Sequence, residues 1–132
     1  MTNLYDIVNE LGNIHSVVGY RVAEPENEFQ LTSFNEIEFV CERGLFTVVA
    51  DDELDTVSVK FDESSAQFKE DISDEDPWIR VIDRPILWAW LLTNQQGYAD
   101  GFQFEARTTD GFVDIQLMCQ ATAFDVRLVS SL

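Results

Sequence analysis

The sequence predicts an α+β domain that is mostly β: a single antiparallel meander or roll of about eight strands behind one short N-terminal helix. Three observations carry that prediction. Alternation of apolar and polar residues with period two recurs from Ile14 to Leu128. The links between the alternating stretches are short, which joins antiparallel neighbours, whereas parallel pairs need long crossovers. A clear helical stripe appears at the start of the chain, where Leu4, Ile7, Val8 and Leu11 fall on one face.

That helix is capped by Thr2 or Asn3 and stopped at Gly12. A first strand follows, with Ile14, Ser16, Val18, Tyr20 and Val22 on one side and His15, Val17, Gly19 and Arg21 on the other. Ala23 to Asn27, with Pro25 inside it, reads as a turn. From Phe34 onward Ile37, Phe39 and Cys41 point one way and Glu36, Glu38 and Glu42 the other, so this strand is expected to have a wet, acidic face. Leu45 to Ala50 is a further strand, Asp51 to Asp55 a charged connection, and Val57, Val59 and Phe61 mark the next strand.

Residues Asp62 to Asp76 hold seven acids against the single Lys69 and read as a solvated loop. Trp78 to Ile82 is expected to restart an extended segment after Pro77. The apolar run Ile86 to Leu92 fits a strand or a buried helix, and the sheet-like surroundings favour the strand. Tyr98, Phe102, Phe104 and Ala106 share a strand face, and Thr109-Asp110-Gly111 is a hairpin turn. Val113, Ile115, Leu117 and Cys119, then Phe124, Val126 and Leu128, complete the meander.

No repeat and no Gly- or Pro-rich linker divides the chain, so residues 1–132 are expected to form one domain. The 132 residues are 45% hydrophobic and include 10 Phe, 3 Trp and 3 Tyr. That is too much apolar and aromatic side chain for an acidic disordered polymer. A chain of this length buries roughly 70% of its unfolded surface, enough for a core without disulfide or metal staples.

Twenty-five Asp and Glu against 8 Lys and Arg give a net charge of -17. Such a field repels phosphate backbones and anionic lipid, so neither nucleic acid nor a membrane is an expected partner. Met1 to Asp6 lacks a basic, apolar leader, and no apolar run approaches the roughly 20 residues needed to span a bilayer. A soluble, cytoplasmic protein is the expectation. Cys41 and Cys119 have no partner at metal-ligand or redox spacing and sit on apolar strand faces, as reduced core thiols do.

No motif selects a reaction. His15 reads as a surface residue with no neighbour placed to orient it, and neither a nucleophile elbow nor a histidine pair is present. The acidic run Asp71 to Asp76 lacks the central Gly and final Glu of an EF-hand loop. No catalytic residue, cofactor or metal is therefore assigned. The most unusual stretch runs from Trp88 to Asp100, where Trp88, Trp90, Asn94, Gln96, Tyr98 and Asp100 gather around Gly97. Indoles with side-chain amides can form a ligand pocket. The plainer reading is a Gly turn whose amides bond local backbone and whose aromatics are core.

The pattern Trp…Asn-Gln-Gln-Gly-Tyr-x-Asp, followed by an alternating strand and a final hairpin, resembles a family of small bacterial domains of unknown function over residues 86 to 129. The resemblance implies a bacterial cytosolic source and adds no catalytic residue. Two functions compete on the residues alone. One is a non-enzymatic module that captures a basic protein, as an immunity or inhibitor protein does, through Glu36, Glu38, Glu42, Asp51, Asp52 and Glu53. The other is a small-molecule-binding domain or enzyme with its pocket at the Trp88 to Asp100 turn. A third, a subunit of a larger assembly, rests on the pairing capacity of sheet edges.

Overall fold

The computed structural model describes residues 4–21, 34–51, 56–63, 68–120 and 123–131. Helix α1 (Leu4–Glu10) precedes strands β1 (Ile14–Arg21), β2 (Glu36–Cys41), β3 (Gly44–Asp51), β4 (Thr56–Phe61) and β5 (Phe68–Asp71). A 3₁₀ turn (Trp78–Arg80) leads to β6 (Ile86–Thr93), β7 (Ala99–Thr108), β8 (Gly111–Gln120) and β9 (Ala123–Ser131). The mostly β, antiparallel class with one short N-terminal helix is what the alternation predicts. The strands, however, form two sheets instead of one bent meander: a five-stranded sheet in the order β4-β3-β2-β1-β5 and a four-stranded sheet in the order β6-β7-β8-β9.

One core holds the two sheets together. Phe39 and Phe46, cross-strand partners in the first sheet, stack at 4.7 Å between ring centroids. Phe104 of the second sheet meets Phe39 edge-on at 5.3 Å, and Phe102 meets Phe46 at 6.0 Å. All four rings are fully buried. Around them pack Val17, Ile37, Val48, Ile115 and Leu117. Helix α1 contributes Val8 to this core and lies along β6. Gly12, at φ +85°, ends the helix where a left-handed turn is required. The proposed caps Thr2 and Asn3, Val22 and the Ala23 to Asn27 turn lie outside the described residues.

Four expectations need correction. In β1 the register shifts between Ile14 and Ser16, and this irregularity puts Ile14 and Val17 into the core together, against simple alternation. The face expected to be wet and acidic is covered: Glu36 and Glu38 are only 6% and 5% exposed. Tyr20, itself buried, donates its hydroxyl to Glu38 Oε2 at 3.1 Å, and buried Thr47 donates to the carbonyl of Glu63 at 3.0 Å. The end of the β4 segment thus turns over this face.

The third correction falls in the acidic loop. Phe68 to Asp71 is a strand, β5, pairing with β1 from Val18↔Asp71 to Arg21↔Phe68. The fourth is Trp78 to Ile82, which is a 3₁₀ turn running into further turns, with no strand. Trp78 and Val81, three residues apart, are both buried, which is the period of a 3₁₀ turn. Arg80 closes the turn by pairing its Nε with Asp76 Oδ1 at 2.6 Å.

Both thiols are free; Cys41 is buried and Cys119 half-buried. Burial, reinforced by the charge of Glu42, pushes the Cys41 thiol up to about 11. Only the thiolate alkylates, so iodoacetamide at about pH 8 is expected to label Cys119 well before Cys41, which reacts only on unfolding. Peptide mapping of the labelled protein checks the order.

Gly19 faces the core, where the ring of Phe34 lies across it; a Cβ there would come within 2.4 Å of Phe34 Cδ1. The Phe34 carbonyl in turn accepts the N–H of Phe124 in β9, tying the two sheets. Gly19→Ala must displace a buried ring and is expected to cost about 1–3 kcal/mol. Urea unfolding followed by circular dichroism measures it, with wild-type stability contradicting the packing described.

Candidate functional site

The four-stranded sheet buries one face on the core; among the described residues no strand or sheet packs over the other, the outer face, where Trp88 and Trp90 are exposed and Gln103 is buried. Partners across an antiparallel ladder share a face, so the register of β6 to β9 defines the open side row by row. The first row is Trp88, Glu105 and Asp114. The second is Trp90, Gln103, Gln116 and Arg127, and the third Leu92, Gly101, Met118 and Asp125.

The two indoles are not core residues. Trp88 is 55% exposed and Trp90 37%. Tyr5 of α1 stacks on Trp88 at 4.7 Å, so the helix holds one side of this indole while the rest meets solvent. Beside them Gln116 donates its amide N–H to Gln103 Oε1 at 3.0 Å, which leaves the Gln116 oxygen as an acceptor. Asp125 and Arg127 pair at 2.6 Å on β9.

Glu105 and Asp114 stand directly opposite each other in the ladder. Burial of the Glu105 carboxyl, then its hydrogen bond to Asp114 and that residue's negative charge, push Glu105 above its ordinary value. Two carboxylates so placed resist being ionised together.

A cavity of about 440 Å³ opens at the end of this face. Leu92, Thr93, Asn94, Asp100, Gln116 and Met118 line it, with Cys119, Asp125 and Arg127. Asp100 reaches it through a register irregularity in the β6–β7 ladder between Leu92 and Thr93. Its floor depends on Gly101: a Cβ there would fall 2.5 Å from Met118 Sδ and 3.1 Å from Leu92 Cδ1.

The Trp88 to Asp100 residues thus divide between the two readings. Trp88 and Trp90 lie on the open face, and Asn94 and Asp100 line the cavity. The Asn94 side chain also serves its own turn, accepting from Gln96 N at 2.9 Å and from Tyr98 N at 3.4 Å. Gln96 and Tyr98 are exposed in that turn and line neither the cavity nor the rows. Gln103, Glu105, Asp114, Gln116, Met118, Asp125 and Arg127 are site residues that sequence reasoning missed. The signal was available: a two-residue turn at Thr109-Asp110 fixes the β7–β8 register and sets Glu105 against Asp114 and Gln103 against Gln116.

Among the described residues, the acids expected to meet a basic partner do not share one exposed surface. Glu36 and Glu38 are covered. Glu42 is exposed in the β2–β3 turn, accepting the Asn13 N–H at 2.6 Å, and Asp51 is half-buried at the end of β3. Asp52 and Glu53 lie outside the described residues. His15 is exposed, 3.7 Å from Asp83 Oδ1.

In the acidic run, Asp71 accepts from both the hydroxyl and the N–H of Ser73, which holds its carboxyl below the usual range. The hydrogen bond and charge of Arg80 lower Asp76 likewise. Among the described residues no group of three or more His, Cys, Asp or Glu converges as metal ligands. No helix among them is long and apolar enough to cross a membrane.

The chain belongs to a family of unknown function, DUF6334, which matches it over residues 1–132. No curated protein and no solved structure matches it.

The carboxyl pair has a consequence for stability. A raised Glu105 means that the folded chain holds this proton more tightly than the unfolded chain. The stability it contributes is present at low pH and lost as pH rises through the folded titration. Glu105→Gln is expected to raise the melting temperature at about pH 7, with the gain vanishing below the ordinary glutamate value of 4.5. Thermal melts of both chains across that interval check the sign.

Proposed function

We propose that the protein is a non-enzymatic binding module whose docking surface is the open face of the four-stranded sheet, and that its partner is a basic polypeptide. The observation that carries this reading is the placement of exposed Trp88 and Trp90 beside the half-buried Glu105–Asp114 pair on the outer face of one sheet. Exposed indoles beside carboxylates suit lysine and arginine side chains, which gain from the ring face and from the opposite charge together. The net charge of -17 steers such a partner from a distance. An inhibitor or immunity protein directed at a basic protein is the sharpest form of this function.

The reading moves the docking surface away from Glu36 and Glu38, whose burial removes them from reach. A second reading, a small-molecule site, is favoured by the 440 Å³ cavity, which falls within the roughly 300–1,000 Å³ of small-ligand pockets.

A peptide of alternating lysine and alanine, titrated at about 0.15 M salt where diffuse attraction is screened, tests the first reading by tryptophan fluorescence and calorimetry. Trp88→Ala and Trp90→Ala are each expected to weaken binding about three- to tenfold, and Glu42→Gln to leave it unchanged. Equal binding by the double tryptophan variant, with its circular dichroism intact, overturns the assignment of this face.

A further inference from the structure

We infer that the cavity at the end of the open face is a specificity subsite for one lysine or arginine side chain of the partner. The inference rests on the sheet face being the partner's docking surface. It adds the chemistry of one contact.

The cavity has the two parts such a side chain needs. Met118 and Leu92, brought close over Gly101, supply an apolar floor for a methylene stem. Long basic side chains bury their stems on surfaces of this kind while keeping the charged head near polar groups. Asp100, a half-buried residue, lines the cavity and supplies the counter-charge; its side chain makes no hydrogen bond or ion pair with any described residue. The oxygen of Gln116 adds an acceptor.

The charge balance selects a cation. Two carboxylates, Asp100 and Asp125, line the cavity against one guanidinium, Arg127, which Asp125 already holds at 2.6 Å. An anion entering here would face Asp100, with which no described cation pairs, whereas an ammonium or guanidinium would neutralise it. The register irregularity before Thr93 gives this arrangement a structural cause, since it brings Asp100 to the side on which Met118 and Leu92 lie.

The experiment uses the full chain carrying ¹³C-methyl methionine, with the Met118 signal identified by Met118→Leu. It is titrated with N-acetyl-arginine methylamide, N-acetyl-lysine methylamide and, as a neutral control of similar length, N-acetyl-norleucine methylamide. One of the two basic amides is expected to shift the Met118 methyl saturably and the norleucine amide to leave it in place. Asp100→Asn should weaken the response at least about fivefold. Gly101→Ala, which forces the Met118 thioether off its seat, should weaken it without any change of charge.

An equal response to the norleucine amide, or an undiminished one in Asp100→Asn, overturns the subsite. The lysine–alanine peptide separates this failure from that of the docking face. If the peptide binds in a tryptophan-dependent way while the Met118 methyl responds to no basic amide, the subsite falls and the face stands. If the amides act through Asp100 and the double tryptophan variant binds the peptide like wild type, the cavity is a site for free small cations and the side-chain assignment falls.

Discussion

The fold turns on the ring of Phe39. It stacks on Phe46 within its own sheet, meets Phe104 of the other sheet edge-on, and receives the edge of Trp78 from the 3₁₀ turn at 5.8 Å. Aromatic contacts of these geometries contribute about 0.5–1.5 kcal/mol each beyond the area they bury. They also fix direction. A ring that must satisfy a parallel neighbour and two edge neighbours permits few relative placements of the sheets. The register of β7 against β6 and β8 is thereby anchored from inside, through Phe102, Phe104 and Ala106, all fully buried. The outward residues of the same strands, Gly101, Gln103 and Glu105, have no freedom to choose another face.

This division explains why the two sheets present such different outer faces. The first sheet is covered on both sides at β2, where Glu36, Ile37, Glu38 and Phe39 are buried in succession. Among the described residues the second sheet has a sheet packed only on its inner side, and its outer face meets Tyr5 of α1 at Trp88. A sheet half-buried in this way ordinarily carries small polar residues outside. Here β6 carries two indoles, β7 and β8 set like-charged carboxyls opposite each other, and Gly101 interrupts the strand so that Met118 can cross it. Each departs from what would best stabilise a solvated sheet face, and all lie within three adjacent rows.

Much of the fold was legible because alternation reports burial directly. The helix stripe, β2 to β4, β6 and the β7–β9 meander all follow from period two or 3.6 and from the turn at Asp110. What was not legible has identifiable causes. β5 is four residues long, three of them charged, and its place is set by the free edge of β1. The irregularity at Ile14 reverses a face without a glycine or proline to announce it. Glu36 and Glu38 alternate as wet residues do, but cover over the sheet is a tertiary fact that alternation does not encode. The candidate site was half legible: Trp88 and Trp90 were conspicuous by type, whereas Glu105, Asp114 and Met118 acquire meaning only once strand pairing places them beside the indoles.

The carboxyl pair connects the stability of the empty site to the charge of its occupant. Glu105 and Asp114, set opposite each other, cost the free protein stability near neutral pH, as the upward displacement of Glu105 records. A neutral residue at either position would remove that cost. A cation held over the pair would remove it too, and would return to binding the free energy that the ionised pair takes from folding. An anion would deepen the repulsion. The face is therefore strained toward one sign of partner, and the tryptophans beside it offer surfaces on which a cation of that sign can rest. A basic side chain over the pair opposes the upward displacement of Glu105, so binding is expected to strengthen as the pH rises through the Glu105 titration.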